Sequence, residues 1–237
     1  SRKIIQNKMN RDLETISIDI PNVNVSANIE LKNIYSRAAN VIGQIISRNH
    51  RYRDEYIVIG AHFDHLGYGG PGSGSLKPDT SAVHNGANDN ASGTAGLLEL
   101  AQILQANRQL LKRSILLIGF DAEERGLIGS KYFISNPTIQ KNNIVTMINM
   151  DMIGKMKDST LIVGGVGTSP TFEPLLDSLS KLSNLNLEYD QAGYGPSDHA
   201  SFYAEDIPVL FFFTGDYSNK YHLSLIHISE PTRQFRI

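Results

Sequence analysis

The stretch Glu55–Gly67, reading EYIVIGAHFDHLG, decides the fold. Tyr56 to Ala61 is a short, uncharged, apolar run with β-branched residues, which fits a strand buried on both faces of a sheet better than a helix. The run stops at His62, Asp64 and His65, polar groups delivered to the rim where open α/β proteins place their ligand sites. If His62 holds a metal, Asp64 is placed to accept a hydrogen bond from its other ring nitrogen and fix the tautomer. A histidine satisfied by a polar neighbour is the ordinary reading of such a triplet taken alone.

The same arrangement recurs downstream. Ser114 to Phe120 (SILLIGF) is a second buried-strand run and leads into Asp121, Glu123 and Glu124. Asn143 to Met150 (NIVTMINM) is a third, followed at once by Asp151. The segments between these runs are long enough for helical crossovers, so the three strands are expected to lie parallel with their carboxyl ends on one side. Helical spacing predicts a helix over Ala91 to Asn107, with Asp89 and Asn90 just before it; Asp89 reads either as a helix cap or as a carboxylate shared by two metals. Gly93 and Gly96 imply that something packs closely on that helix's first turns. Further expectations are a short helix over Arg125 to Asn136, strands at Leu161 to Val163, Leu185 to Tyr189 and Val209 to Phe213, and a helix over Phe172 to Leu182.

Two segments flank this pattern. From Thr15 to Ile46, apolar and polar residues alternate over short spans, predicting two or three antiparallel strands. Gly67 to Gly74 is glycine-rich and reads as a loop lining a substrate site. In Gly193 to Phe202 (GYGPSDHASF), Ser197 and Asp198 are expected to cap a helix, with Tyr194 and His199 lining the substrate site. Three consecutive residues cannot converge as a hydrolase triad, so Ser197, Asp198 and His199 are not one.

Composition narrows the chemistry. The 237 residues suit one sizeable α/β domain. With 22 basic against 24 acidic side chains, no charge field for nucleic acid exists. No apolar run approaches the roughly 20 residues of a membrane helix. Zero cysteines restrict any metal site to His, Asp and Glu. The inventory is then His62, Asp89, Glu124, Asp151 and His222, with Glu123 spare. Such a set suits a pair of zinc-like ions about 3.5 to 4 Å apart, each with one histidine and one private carboxylate and sharing Asp89.

The ordered motifs GAHFDHLG, NDNASG, DAEERGLIGS, NMDMIG, SDHASF and YH, spanning Tyr56 to His222, resemble the co-catalytic zinc exopeptidases, a family that includes bacterial leucyl aminopeptidases, aminopeptidase Y and the protease-like domain of the transferrin receptor. The resemblance implies a three-layer α/β fold with a mixed, mainly parallel sheet of about eight strands. It implies two Zn2+, one on His62 and Asp151 and the other on Glu124 and His222, bridged by Asp89. Glu123 would be the general base on a water between the metals, and Asp64 the partner of His62. Peptides cleaved at the amino terminus would be the substrates, and secretion or export to the periplasm the location. Two other readings share the fold: a single-zinc cyclase of amino-terminal glutamine, and a non-catalytic binding domain. The catalytic domain is expected to occupy 1–222. Leu223 to Arg233 (LSLIHISEPTR) resembles a translated sequencing adapter, so 223–237 reads as a non-native tail in which His227 is no ligand.

Overall fold

The computed structural model describes residues 21–24, 26–31, 35–215 and 221–223. The chain divides into a unit ending at Ser36 and a second beginning at Arg37. In the first, the described residues contain a turn at Pro21 and Asn22 and no strand. Val23, Ile29 and Leu31 are exposed. The alternation read there as strands is therefore not realised among the described residues; period-2 patterning produces a strand only where a partner edge takes up the backbone groups. The last stretch of that expectation is realised in the second unit, where Val41–Ile45 forms a strand with an antiparallel partner; 15–20, Val25, 32–34 and the tail at 224–237 lie outside the described residues.

The second unit is built on a seven-stranded mixed sheet, counted over the described residues. Its strands are β1 (Val41–Ile45), β2 (Tyr56–His62), β3 (Ser114–Phe120), β4 (Ile144–Met150), β5 (Thr160–Gly164), β6 (Asn186–Tyr189) and β7 (Val209–Phe213). They lie in the order β1-β3-β2-β4-β7-β5-β6. The four central strands, β3, β2, β4 and β7, are mutually parallel. β1 runs antiparallel to β3, and β5 antiparallel to β7.

Helices cover both faces. α1 (Gly93–Ala106) buries Leu97 against Ile59, Ala61, Leu117 and Met150. On the other face, α2 (Ile128–Ser135) and α4 (His199–Tyr203) place Phe133 and Phe202 against Val58, Ile118, Phe120 and Met147. α3 (Phe172–Ser180) packs Phe172 and Leu176 on Val163 and Leu210. The alternation of Val58 to one core and Ile59 to the other is why β2 reads as an unbroken apolar run: neither face meets water. This is the expected three-layer α/β architecture, with strand and helix ends within a few residues of those read from the sequence. Among the described residues no helix is long and apolar enough to cross a membrane.

Candidate metal centre

Parallel central strands bring their carboxyl ends to one edge, and the polar residues that follow each strand meet there. β2 supplies His62 as its last residue; the turn after β3 supplies Glu123 and Glu124; Asp151 follows β4 directly; and Tyr221 and His222 arrive after β7. Asp89 comes from the irregular turn at Ala87–Ser92, where its backbone is non-helical (φ −110, ψ 93) and the Asp89–Asn90 peptide is cis.

His62 is buried at 1% exposure, and its Nε2 lies 3.3 Å from Asp89 Oδ1, 3.3 Å from Asp151 Oδ1 and 3.9 Å from Glu123 Oε2. His222 Nε2 lies 3.2 Å from Asp89 Oδ2 and 3.5 Å from Glu124 Oε2. Asp89 thus turns one oxygen toward each histidine. The geometry also includes a residue the sequence reading left without a role: His65 Nδ1 is 2.6 Å from Glu124 Oε1. One potential ligand group gathers His62, Glu123 and Asp151, and another His65, Asp89 and Glu124. The signal for His65 was present in the motif, three residues after His62, but its neighbour is 59 positions away.

The supporting contacts explain the sequence around each ligand. Asp64 sits 3.5 Å from His62 Nδ1 and accepts the backbone N–H groups of Glu123 and Glu124 at 3.0 and 3.2 Å. Asn90 donates to the Met150 carbonyl and accepts the N–H groups of Gly93 and Met152, tying the Asp89 turn to the Asp151 turn. A Cβ at Gly93 would lie 2.4 Å from both Asn90 Oδ1 and the Met150 carbonyl oxygen, so only glycine allows that approach. The glycine-rich segment, read as lining a substrate site, leads into contacts with His222: His222 Nδ1 lies 3.1 Å from the Gly74 carbonyl, and just beyond it Leu76 N–H donates to the His222 carbonyl.

Ser197, Asp198, Tyr194 and His199 depart from expectation. Neither Ser197 nor Asp198 caps α4: Ser197 Oγ accepts from Asn149 at 2.7 Å, and the buried Asp198 oxygens have no hydrogen-bond partner. Tyr194 is 66% exposed and packs edge-on against Tyr203, while His199 is buried and stacked on Phe211 at 4.3 Å. Among the described residues, the small pocket at the histidines is lined by Asp89, Glu123, Glu124 and Asp151 opposite Met152, Pro196, Phe211, Phe213, Tyr221 and His222, and neither Tyr194 nor His199 is among them. A short loop sequence carries no information about which side of the chain faces the cleft.

Electrostatics favour a bound cation. Four largely buried carboxylates converge, and among the described residues their ion-pair partners are histidines. Arg125, beside them in sequence, donates to the Gly72 carbonyl. Burial pushes the Glu123 carboxyl up to about 9; the His62 charge opposes this, and Asp198, Asp151 and Glu124 add to it. Burial works against a charged His62, yet the hydrogen bonds it donates to Asp151, Asp64 and Asp89 leave it raised. Burial likewise disfavours an ionised Asp89, but His222 and His62 hold it below the usual carboxylate range. Uncompensated carboxylates at this density are costly, and an all-nitrogen-and-oxygen donor set of this kind fits a divalent ion such as zinc.

A mixed sheet whose central parallel strands end in this donor set is the α/β zinc-exopeptidase fold. The chain belongs to peptidase family M28, whose model matches residues 40–230. It is 38% identical over 137 residues to leupeptin-inactivating enzyme 1 of Streptomyces exfoliatus, covering 56% of this chain and 30% of that protein. Aminopeptidase YwaD of Bacillus subtilis is 28% identical over 224 residues, 88% of this chain and 44% of its own length. The crystal structure of BSAP, a zinc aminopeptidase from Bacillus subtilis, matches with a TM-score of 0.59 at 27% identity, covering 77% of this chain and 43% of that one. The chain therefore spans half or less of the length of these relatives.

Proposed function

We propose that this chain carries the catalytic centre of a zinc-dependent aminopeptidase that removes amino-terminal residues from peptides. The observation that carries the reading is the position of Asp89, with Oδ1 3.3 Å from His62 Nε2 and Oδ2 3.2 Å from His222 Nε2. A carboxylate placed between two histidines suits a bridge between two ions. His62, Asp89 and Asp151 would hold one Zn2+, and His222, Asp89 and Glu124 the other. When bound, such a pair supplies Lewis acidity toward the scissile carbonyl and raises the acidity of water at neutral pH.

The chain's own residues do the rest. Glu123 is left over from both ligand sets and faces the same cleft. With the cations bound, their charge would offset the burial that raises Glu123 and leave it ionised, so that its carboxylate would take the proton of the attacking water and return it to the amine as the C–N bond breaks. Asp64 holds His62 and the backbone of Glu123 and Glu124 in register. Met152, Phe211 and Phe213 give the cleft an apolar wall for a substrate side chain. The similarity to aminopeptidases and to a zinc aminopeptidase supports this assignment.

Hydrolysis of aminoacyl p-nitroanilides should cease with chelator and return as zinc is restored to two ions per chain, while N-acetylated analogues resist cleavage. Turnover that survives metal removal, or equal cleavage of acetylated substrates, would count against the assignment.

A further inference from the structure

His65 is one residue from Asp64, and the two point to different halves of the site. Asp64 serves His62 and the backbone of the turn after β3. His65 reaches the side chain of Glu124, with Nδ1 2.6 Å from Oε1, the shortest distance between the histidines and carboxylates here. An ionised carboxylate only accepts, so at this separation Nδ1 carries the hydrogen and donates it. The other Glu124 oxygen, Oε2, faces His222 Nε2 at 3.5 Å.

The absence of a side chain at Gly86 makes room for the ring. Gly86 has φ +61, and a Cβ there would lie 2.8 Å from His65 Cγ. The ring also lies edge-on to His222, with centroids 5.9 Å apart.

We propose that His65 is a positioning residue for the second metal: its Nδ1–H engages Glu124 Oε1 and so turns Oε2 toward the ion held with His222 and Asp89. Consecutive side chains of one loop then orient both halves, Asp64 acting on His62 and His65 acting on Glu124. The competing possibility is direct ligation by His65, since its Nδ1 falls within ligand range of Asp89 and Glu124. Ligation through Nδ1 requires the lone pair that donation to Glu124 removes. The inference rests on the two-zinc reading above.

The test is zinc affinity, measured by chelator competition on the full chain for wild type, His65→Ala and His65→Asn. The asparagine amide places an N–H close to where Nδ1 stands and is a poor zinc ligand, so it separates orientation from ligation. His65→Ala should keep one ion at wild-type affinity and bind the other about 10- to 100-fold more weakly. His65→Asn should restore most of that loss. Equal affinity in wild type and His65→Ala, or failure of His65→Asn to rescue, overturns the proposal. If His65→Ala does not fold, the tautomer of His65 in the zinc-loaded wild type decides, read by long-range 15N–1H NMR correlation. A protonated Nδ1 supports orientation, and a bare one refutes it. Wild-type protein that binds fewer than two zinc ions removes the two-metal reading itself, an outcome distinct from any difference between variants.

Discussion

The Asp64 carboxylate accepts the backbone N–H of Glu123 at 3.0 Å while standing 3.5 Å from His62 Nδ1. Asp64 therefore touches both His62 at the end of β2, its backbone carbonyl lying 3.1 Å from Nδ1, and the backbone of the proposed general base Glu123 after β3. Asp64→Ala should weaken zinc binding by about 10- to 100-fold and lower turnover further than metal loss explains, because the Glu123 turn is released as well. Asp64→Asn keeps one acceptor oxygen and should fall between. Metal titration alongside kcat at saturating zinc separates the two effects.

Glu123→Gln should retain both ions yet lose about 10²- to 10⁴-fold in kcat, the usual contribution of a positioned acid–base group. A variant that lost zinc in proportion to activity would make Glu123 a ligand and not the base.

Asn90→Ala removes one donated and two accepted hydrogen bonds, of which those with Met150 and Met152 join the Asp89 and Asp151 turns. The groups left behind are buried, so the metal-free protein should lose about 2 to 4 kcal/mol of stability in denaturant unfolding. Gly93→Ala should destabilise by a different route. The added methyl meets the Met150 carbonyl, and zinc affinity should fall with stability because Asp151 is the next residue.

His199 has its pKa lowered to about 4 by burial. A histidine that stays neutral in the fold but charges near 6.5 when unfolded contributes stability that is present above pH 6.5 and lost as pH falls toward 4. The effect is at most about 3 kcal/mol. The difference in unfolding free energy between wild type and His199→Phe should therefore depend on pH across that window, and a pH-independent difference would contradict a buried neutral ring.

Much of the site was legible because the central strands share one property. Each of β2, β3 and β4 reads as an apolar run ending in acid or histidine, and parallel connection places such ends on one edge. Local sequence decides which residues can be strands and which polar groups follow them, which is why His62, Glu123, Glu124 and Asp151 could be named as strand-end groups, whereas Asp89 was named from the turn before a helix and His222 from a loop. Tyr194 and His199 could not be placed the same way, since a turn of a few residues decides whether a side chain faces the cleft or, as with His199, stacks on Phe211.

The sequence by itself determined the strand and helix runs, the absence of thiolate ligands, and the order in which the site's donors occur along the chain. The tertiary structure alone decided which donors face one another, that the glycine-rich loop holds His222, and that His65 engages Glu124. Hydrophobic periodicity is local and survives in one dimension, whereas hydrogen-bond partners 59 to 148 positions apart are chosen only when packing of the sheet brings them within about 3 Å.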